Sequence, residues 1–317
     1  MSATERTALI TGGAGFIGSH LADRLLARGW TVVAFDNLAI GRRANVAHLS
    51  GESRFSLVEG DIADAAVLRR LVSERGVEAI FHLAAVHYIP YCNAQPLEAM
   101  RVNVLGTQAV VDAAAAGGVR RLVFTSTSDV YAVKDTPHTE DDVRDPYTVY
   151  GNAKLFSERI LALATAARPE LSVAVARLFN VYGPRETNPH VLPDILAQVK
   201  DPAATTIRLG NVWPRRDFVF VGDVADALVT MLEAPSRYDA FNIGTGRALS
   251  IAEVIDVLAE VLGRRLSIAT DPTQVRPVER ACLEAGIDKA QRVLGWKPSW
   301  PFRDGLRHWL VHDGIVR

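Results

Sequence analysis

The chain has 317 residues, 49% of them hydrophobic and 22% charged, with a formal net charge of −1. That composition supports a sizeable core, excludes a disordered chain, and argues against nucleic acid or a membrane surface as the main partner. Two cysteines far apart, Cys92 and Cys282, give neither a disulfide framework nor a metal-ligand spacing; each is expected as a small buried hydrophobe in a reducing cytoplasm. No signal-peptide core precedes the first apolar run, and no run reaches membrane-spanning length.

The first predicted strand, around Ala8–Ile10, runs into a glycine cluster and then into a helical pattern. Gly12, Gly15 and Gly18 recur every third residue, and Gly13, Gly15 and Gly18 satisfy G-x-G-x-x-G. Such glycines allow a tight turn, close approach of a pyrophosphate and close helix packing, with the helix N-terminus facing the phosphates. A helix is predicted from Leu21 to Arg28, stopped by Gly29, then a strand over Thr31–Phe35 that ends at Asp36. An acid there accepts hydrogen bonds from an adenosine ribose.

Further on, strands are predicted at Leu57–Glu59, Ala79–Leu83, Arg121–Thr125 and Leu171–Leu178, and helices at Ala65–Arg75, Pro96–Ala116 and Thr148–Ala167. This rhythm predicts a doubly wound parallel sheet of the α/β class, with ligands beyond the carboxyl ends of the strands. After about residue 180 prolines become frequent. Helices are predicted at Pro193–Lys200, Ile251–Leu262 and Gly305–Val311, and Asp223–Glu233 and Phe241–Ile243 read as returns to the main sheet. The expected division is residues 1–180, with returns near 215–245, and a smaller discontinuous lobe over 181–317.

Tyr150 and Lys154 lie four apart at the start of a predicted helix, on one face. A free tyrosine is a poor base at neutral pH, and a nearby ammonium favours its phenolate. The preceding strand end places the Thr127 hydroxyl beside the phenol. Together they make a site for taking a proton from an alcohol next to a hydride acceptor.

With these residues in view, the chain resembles the extended short-chain dehydrogenase/reductase family, in particular its nucleotide-sugar epimerases and dehydratases. The matching stretches are Thr11–Gly18, Asp36–Leu38, Gly60–Ile62, His82–Ala85, Asn103–Thr107, Ser126–Thr127, Tyr150 with Lys154, Arg177–Arg185, Arg216–Phe218, Phe241–Gly244 and Leu294–Pro298. The resemblance implies a Rossmann-type NAD domain and a C-terminal lobe for a nucleoside-diphosphate sugar, with a UDP-sugar expected. It implies that Gly12, Gly15, Phe16, Ile17 and Gly18 hold the dinucleotide. Asp36 and Asn37 would take the adenosine ribose, Asp61 and Ile62 the adenine, and Leu83, Ala84 and Ala85 the pyrophosphate and ribose. Asn103 would sit behind the cofactor, and Tyr150 and Lys154 would also reach it. On the substrate side it implies Thr127, Ser128, Asn180, His190 and Val191, with Arg216 and Arg276 neutralising the diphosphate.

Several positions depart from the family pattern. His87 stands where epimerases often carry lysine; it either replaces that cofactor contact or is an internally satisfied histidine. His190 stands where relatives carry asparagine, and reads either as a phosphate ligand or as a loop histidine. Trp213, in an altered loop, reads as a stacking residue for a base or a neighbouring loop. Sugar 4,6-dehydratases present Asp-Glu after the Thr127 position, and this chain presents Ser128-Asp129. The missing first acid disfavours dehydration. Hexuronate decarboxylases carry Ser-Glu there, so decarboxylation is the second reading and 4-epimerisation the first. Asp129 is expected to cap the following turn rather than to act on the sugar. A non-catalytic NAD-sensing protein would be expected to lose Tyr150 or Lys154, and both are present. Asp36 favours NAD over NADP, against Arg42 and Arg43 nearby. The two long helices carry apolar residues on more than one face, which predicts a homodimer.

Overall fold

The computed structural model describes residues 6–275 and 280–317. Strands β1 (Thr7–Thr11), β2 (Thr31–Asp36), β3 (Phe55–Glu59), β4 (Val77–His82), β5 (Arg121–Thr127) and β6 (Ser172–Leu178) belong to the central sheet. The chain then forms β7 (Asn180–Tyr182), β8 (Thr206–Leu209) and β9 (Arg215–Phe220) outside it, and returns with β10 (Tyr238–Ile243). The seven central strands run β3-β2-β1-β4-β5-β6-β10, all parallel. Strand interiors such as Ala8–Ile10, Val32–Phe35 and Val173–Ala176 are buried on both faces, as a sheet covered by helices on each side requires. The strand order reverses between β1 and β4, which opens a ligand crevice beyond their carboxyl ends.

On one face, Leu21 and Leu25 of α1 (Phe16–Ala27) pack with Val224 and Leu228 of α8 (Val221–Thr230). On the other lie Leu68 of α2 (Ala65–Glu74), Val110 of α5 (Gly106–Ala116) and Leu161 of α6 (Val149–Ala167). Between β4 and α5 come α3 (Ile89–Ala94) and α4 (Pro96–Met100). A third core joins α7 (Val191–Val199), β9, α9 (Ile251–Leu262) and α10 (Phe302–His312) through Ile195, Phe218, Leu258 and Trp309. Phe16 and Tyr182 belong to this third core, so the first turn of α1 is packed against the smaller lobe. The Asp223 carboxylate accepts from the main-chain nitrogens of Ser299 and Trp300 and so anchors the C-terminal segment to α8.

Three expectations change. Helix α1 starts at Phe16, not Leu21, because the glycines that weaken helix propensity are spent on packing inside its first turn. The helix expected over Pro96–Ala116 is interrupted at Arg101–Leu105 by a wide π turn. Cys92 is buried as expected, but Cys282 is only half-buried.

Candidate active site

The crevice floor is set by backbone contact. After β1 the chain turns at Gly12 with φ +73, and a Cβ there would come within 2.9 Å of the Ala84 nitrogen. A Cβ at Gly18 would lie 2.2 Å from the Gly12 oxygen, so only glycine lets α1 sit this close to the turn. Helix α1 is capped at Gly15 without a side-chain acceptor, leaving the amides of its first turn for an anion. Phe16 and Gly18 are buried, while Gly15 and Ile17 are partly exposed. Asp36, buried at the end of β2, accepts from Ala14 N at 2.9 Å and from Leu38 N at 2.8 Å. Burial pushes its carboxyl up, against these hydrogen bonds. Asn37 is exposed and accepts from Ala39 N at 3.1 Å.

Asp61 accepts from Ala63 N at 2.9 Å and pairs with Arg101 at 3.2 Å. The Ile62 side chain is buried in the core beneath α5. Leu83, Ala84 and Ala85 follow β4, with Leu83 N donating to Thr11 O at 3.1 Å. Asn103, on the π turn, clamps Val86 with two 2.8 Å hydrogen bonds and so fixes this segment. His82 lies beneath it. Thr107 donates to Asn103 O, so His82 Nε2–H donates to Thr107 at 3.0 Å and Nδ1 accepts from Thr11 at 2.8 Å. Burial, with the Lys154 charge, holds its pKa down to about 3.

Helix α6 opens with Thr148, whose hydroxyl accepts from Gly151 N at 2.9 Å. This puts Tyr150 in the first turn and Lys154 one turn later, facing the end of β5. Thr127 is the last residue of β5, and its hydroxyl lies beside the Tyr150 phenol. Burial and the nearby Asp129 carboxylate push Tyr150 above its ordinary range, and the Thr127 hydroxyl opposes them. Lys154 is 2% exposed and donates to Thr125 O at 2.7 Å. Burial lowers it to about 7, and Glu158 pulls against that shift. The turn after β5 is capped by Thr127, which accepts from Asp129 N at 3.2 Å. The charge of Asp129 acts on Tyr150.

Next to Thr127, Ser128 is buried, and Asn180 is half-buried at the start of β7. His190 caps α7 just before the half-buried Val191, and its Nδ1 is 2.7 Å from the buried Glu186 carboxylate. The His190 ring stands edge-on to His87 at 5.7 Å. Burial lowers the His87 pKa to about 4, with the Ala85 main chain and the Asn188 side chain pulling against that shift. Arg216 donates to Arg280 O at 3.0 Å. Trp213 is 56% exposed. Arg276 lies outside the described residues.

Sequence analysis gave no individual role to His82, Glu158, Arg177, Glu186 or Asp217. Asp217 is fully buried and accepts from Thr245 N, Gly246 N and Ala285 N, holding the substrate-side sheet together. The available signal was the place of His82, Arg177 and Asp217 inside the matching stretches; Glu158 and Glu186 had none.

A dinucleotide-type crevice facing an adjacent Thr-Tyr pair with a buried lysine behind it defines a short-chain dehydrogenase/reductase. More narrowly, the chain belongs to the GDP-mannose 4,6 dehydratase family, whose model matches residues 9–309. It is 33% identical to a UDP-glucose 4-epimerase of Lacticaseibacillus casei, over 97% of each chain. It is 35% identical to a UDP-glucose 4-epimerase of Mycolicibacterium smegmatis, over 94% of this chain and 95% of that one. A Stenotrophomonas UDP-glucose-4-epimerase, solved with bound NAD and formylated UDP-arabinopyranose, superposes with a TM-score of 0.89 at 29% identity, covering 98% of this chain and 99% of that one.

Proposed function

We propose that the chain is an NAD-dependent nucleotide-sugar 4-epimerase acting on a UDP-sugar. The observation that carries this reading is the convergence of Thr127, Tyr150 and Lys154 on the dinucleotide crevice, in a chain whose full-length relatives are UDP-glucose 4-epimerases.

The residues fit NAD: the Gly12–Gly18 cradle has no room for a Cβ, the first amides of α1 are uncapped, and Asp36 stands at the end of β2. Gly12, Gly15, Phe16, Ile17 and Gly18 would hold its phosphates. Asp36 and Asn37 would hold the adenosine ribose, Asp61 and Ile62 the adenine, and Leu83 to Ala85, with Asn103 behind them, the rest. When bound, NAD supplies a hydride acceptor and donor for the sugar C4, and a positive ring that favours a phenolate beside it.

Tyr150 takes the proton of the 4-hydroxyl and later returns it. Thr127 hydrogen-bonds the reacting oxygen, and the Lys154 ammonium stabilises the phenolate. Asn180, His190, Val191 and Arg216 hold the diphosphate end while the sugar turns to present its other face. Residues 1–180, with the returns near 215–245, serve the cofactor, and 181–317 serve the substrate. Two copies pair through α6 and the segment Pro96–Ala116. Leu97, Leu105, Phe156 and Leu163 are 86%, 63%, 49% and 71% exposed there, which suits a helical bundle between subunits. Among the described residues no helix is long and apolar enough to cross a membrane. The two free cysteines suit work in the cytosol.

The test is incubation of the purified protein with UDP-glucose, UDP-glucuronate and UDP-N-acetylglucosamine, with products read by NMR. A galacto-configured product of unchanged carbon count supports the reading. A pentose nucleotide with released carbon dioxide, or a 4-keto-6-deoxy sugar, overturns it.

A further inference from the structure

Beneath Tyr150 and Lys154 lies a buried ion pair that the proposed reaction leaves unused. The side chains of Arg177 and Glu158 are 2% and 1% exposed. Arg177 Nη2 and Nε donate to the two Glu158 oxygens at 2.8 and 3.1 Å, and Ser126 Oγ donates to Oε1 at 2.6 Å. Burying two ions is costly enough that apolar packing often serves stability equally well. Folding alone is therefore a weak reason for this pair.

Its placement gives a stronger one. Lys154 and Glu158 are one turn apart on α6, and they grip consecutive residues of β5. Lys154 Nζ takes the main-chain oxygen of Thr125, and Glu158 takes the hydroxyl of Ser126. Arg177 comes from β6, where it is the register partner of Ser126, and its Nη1 turns away to Tyr131 and Glu140. The titratable groups acting on Lys154, or acted on by it, are Glu158 on its own helix, Cys92 on α3, and His82 and His87 at and after the end of β4. Tyr150 lies one turn before Lys154 on α6 and is itself faced by Asp129 and Cys92. Burial and the Lys154 charge hold both histidines neutral, with His190 adding to the effect on His87. Glu158 is the carboxylate that acts on Lys154, and it draws Lys154 back up against burial.

We propose that Glu158, locked in place by Arg177 and Ser126, is a positioning residue that keeps Lys154 in its ammonium form beside Tyr150. The proton step can then run at neutral pH. This rests on the epimerase reading above, because it assigns Tyr150 as the base.

Glu158→Gln removes the negative charge and leaves Arg177 positive. Lys154 then loses its proton more easily and Tyr150 ionises at higher pH. The acid limb of the kcat profile is expected to move up by about one pH unit, with KM for the UDP-sugar little changed. Glu158→Asp keeps the charge and should restore the limb. If Glu158→Gln folds poorly, the double variant Glu158→Gln/Arg177→Met carries the test, with a smaller shift in the same direction. The second readout is ultraviolet titration of the phenolate, taken as the difference from Tyr150→Phe in the same background. An unmoved limb and an unmoved phenolate titration, with turnover or stability lost equally at every pH, overturn the proposal. Failure of the wild-type protein to invert any UDP-sugar would refute the epimerase reading separately, and the phenolate titration would still decide the part played by Glu158.

Discussion

Lys154 Nζ donates to the main-chain oxygen of Thr125 at 2.7 Å, two residues before Thr127, whose hydroxyl lies beside the Tyr150 phenol. One strand end therefore holds both the Lys154 charge and the Thr127 hydroxyl that the proposed reaction uses. Tyr150→Phe removes the reacting oxygen and leaves the glycine cradle, Asp36 and Asp61 untouched. Turnover should fall on the order of 10²–10⁴-fold, while NAD affinity by calorimetry stays close to that of the wild type. Near-normal turnover would remove Tyr150 from its role.

Asp36 is expected to set cofactor choice. Its carboxylate is fixed by Ala14 N and Leu38 N at the end of β2, where a 2′-phosphate would meet a negative charge. NADH is expected to bind more tightly than NADPH in a fluorescence titration, and Asp36→Asn should narrow the difference. Tighter binding of NADPH by the wild type would contradict this despite the adjacent Arg42 and Arg43.

Much of this site was legible in the sequence because glycine spacing, strand-end acids and a Tyr-Lys pair are local patterns. What escaped notice depends on tertiary contact. The start of α1 was missed because Gly18 reads as a helix breaker, whereas close packing on the Gly12 oxygen requires glycine there. The π turn at Arg101–Leu105 leaves no mark in the apolar pattern; its Asn103 oxygen is taken by the Thr107 and Ser157 hydroxyls at 2.6 and 2.8 Å. The Glu158–Arg177 pair joins a helix to a strand 19 positions away, a pairing no local spacing encodes.

His82 predicts the pH dependence of stability. Its native pKa is held down to about 3, far below that of an unfolded histidine. A depressed native pKa stabilises above the unfolded value and is lost as pH falls. The loss begins near pH 6.5 and continues towards pH 3, reaching about 2 kcal/mol by pH 5. Guanidinium unfolding of the apo protein at pH 7 and pH 5 should give a smaller difference for His82→Gln than for the wild type. Equal differences would remove His82 as a contributor.

The exposed apolar residues of α6 predict the assembly. Phe156 and Leu163 are seven residues apart on one helix face and 49% and 71% exposed. Leu163→Glu should convert a dimer into a monomer in sedimentation at micromolar concentration, with the monomer still folded by circular dichroism. A wild-type protein that sediments as a monomer would contradict the bundle.

C4 is expected to be inverted by a hydride that leaves and returns within one site, with Tyr150 moving only the hydroxyl proton. A UDP-sugar deuterated at C4 tests this most directly. After equilibration in ordinary water, NMR and mass spectrometry should find deuterium still at C4 in both epimers, with none passed to solvent. Inversion accompanied by loss of deuterium to water would show that C4 exchanges its hydrogen as a proton, and would contradict the account.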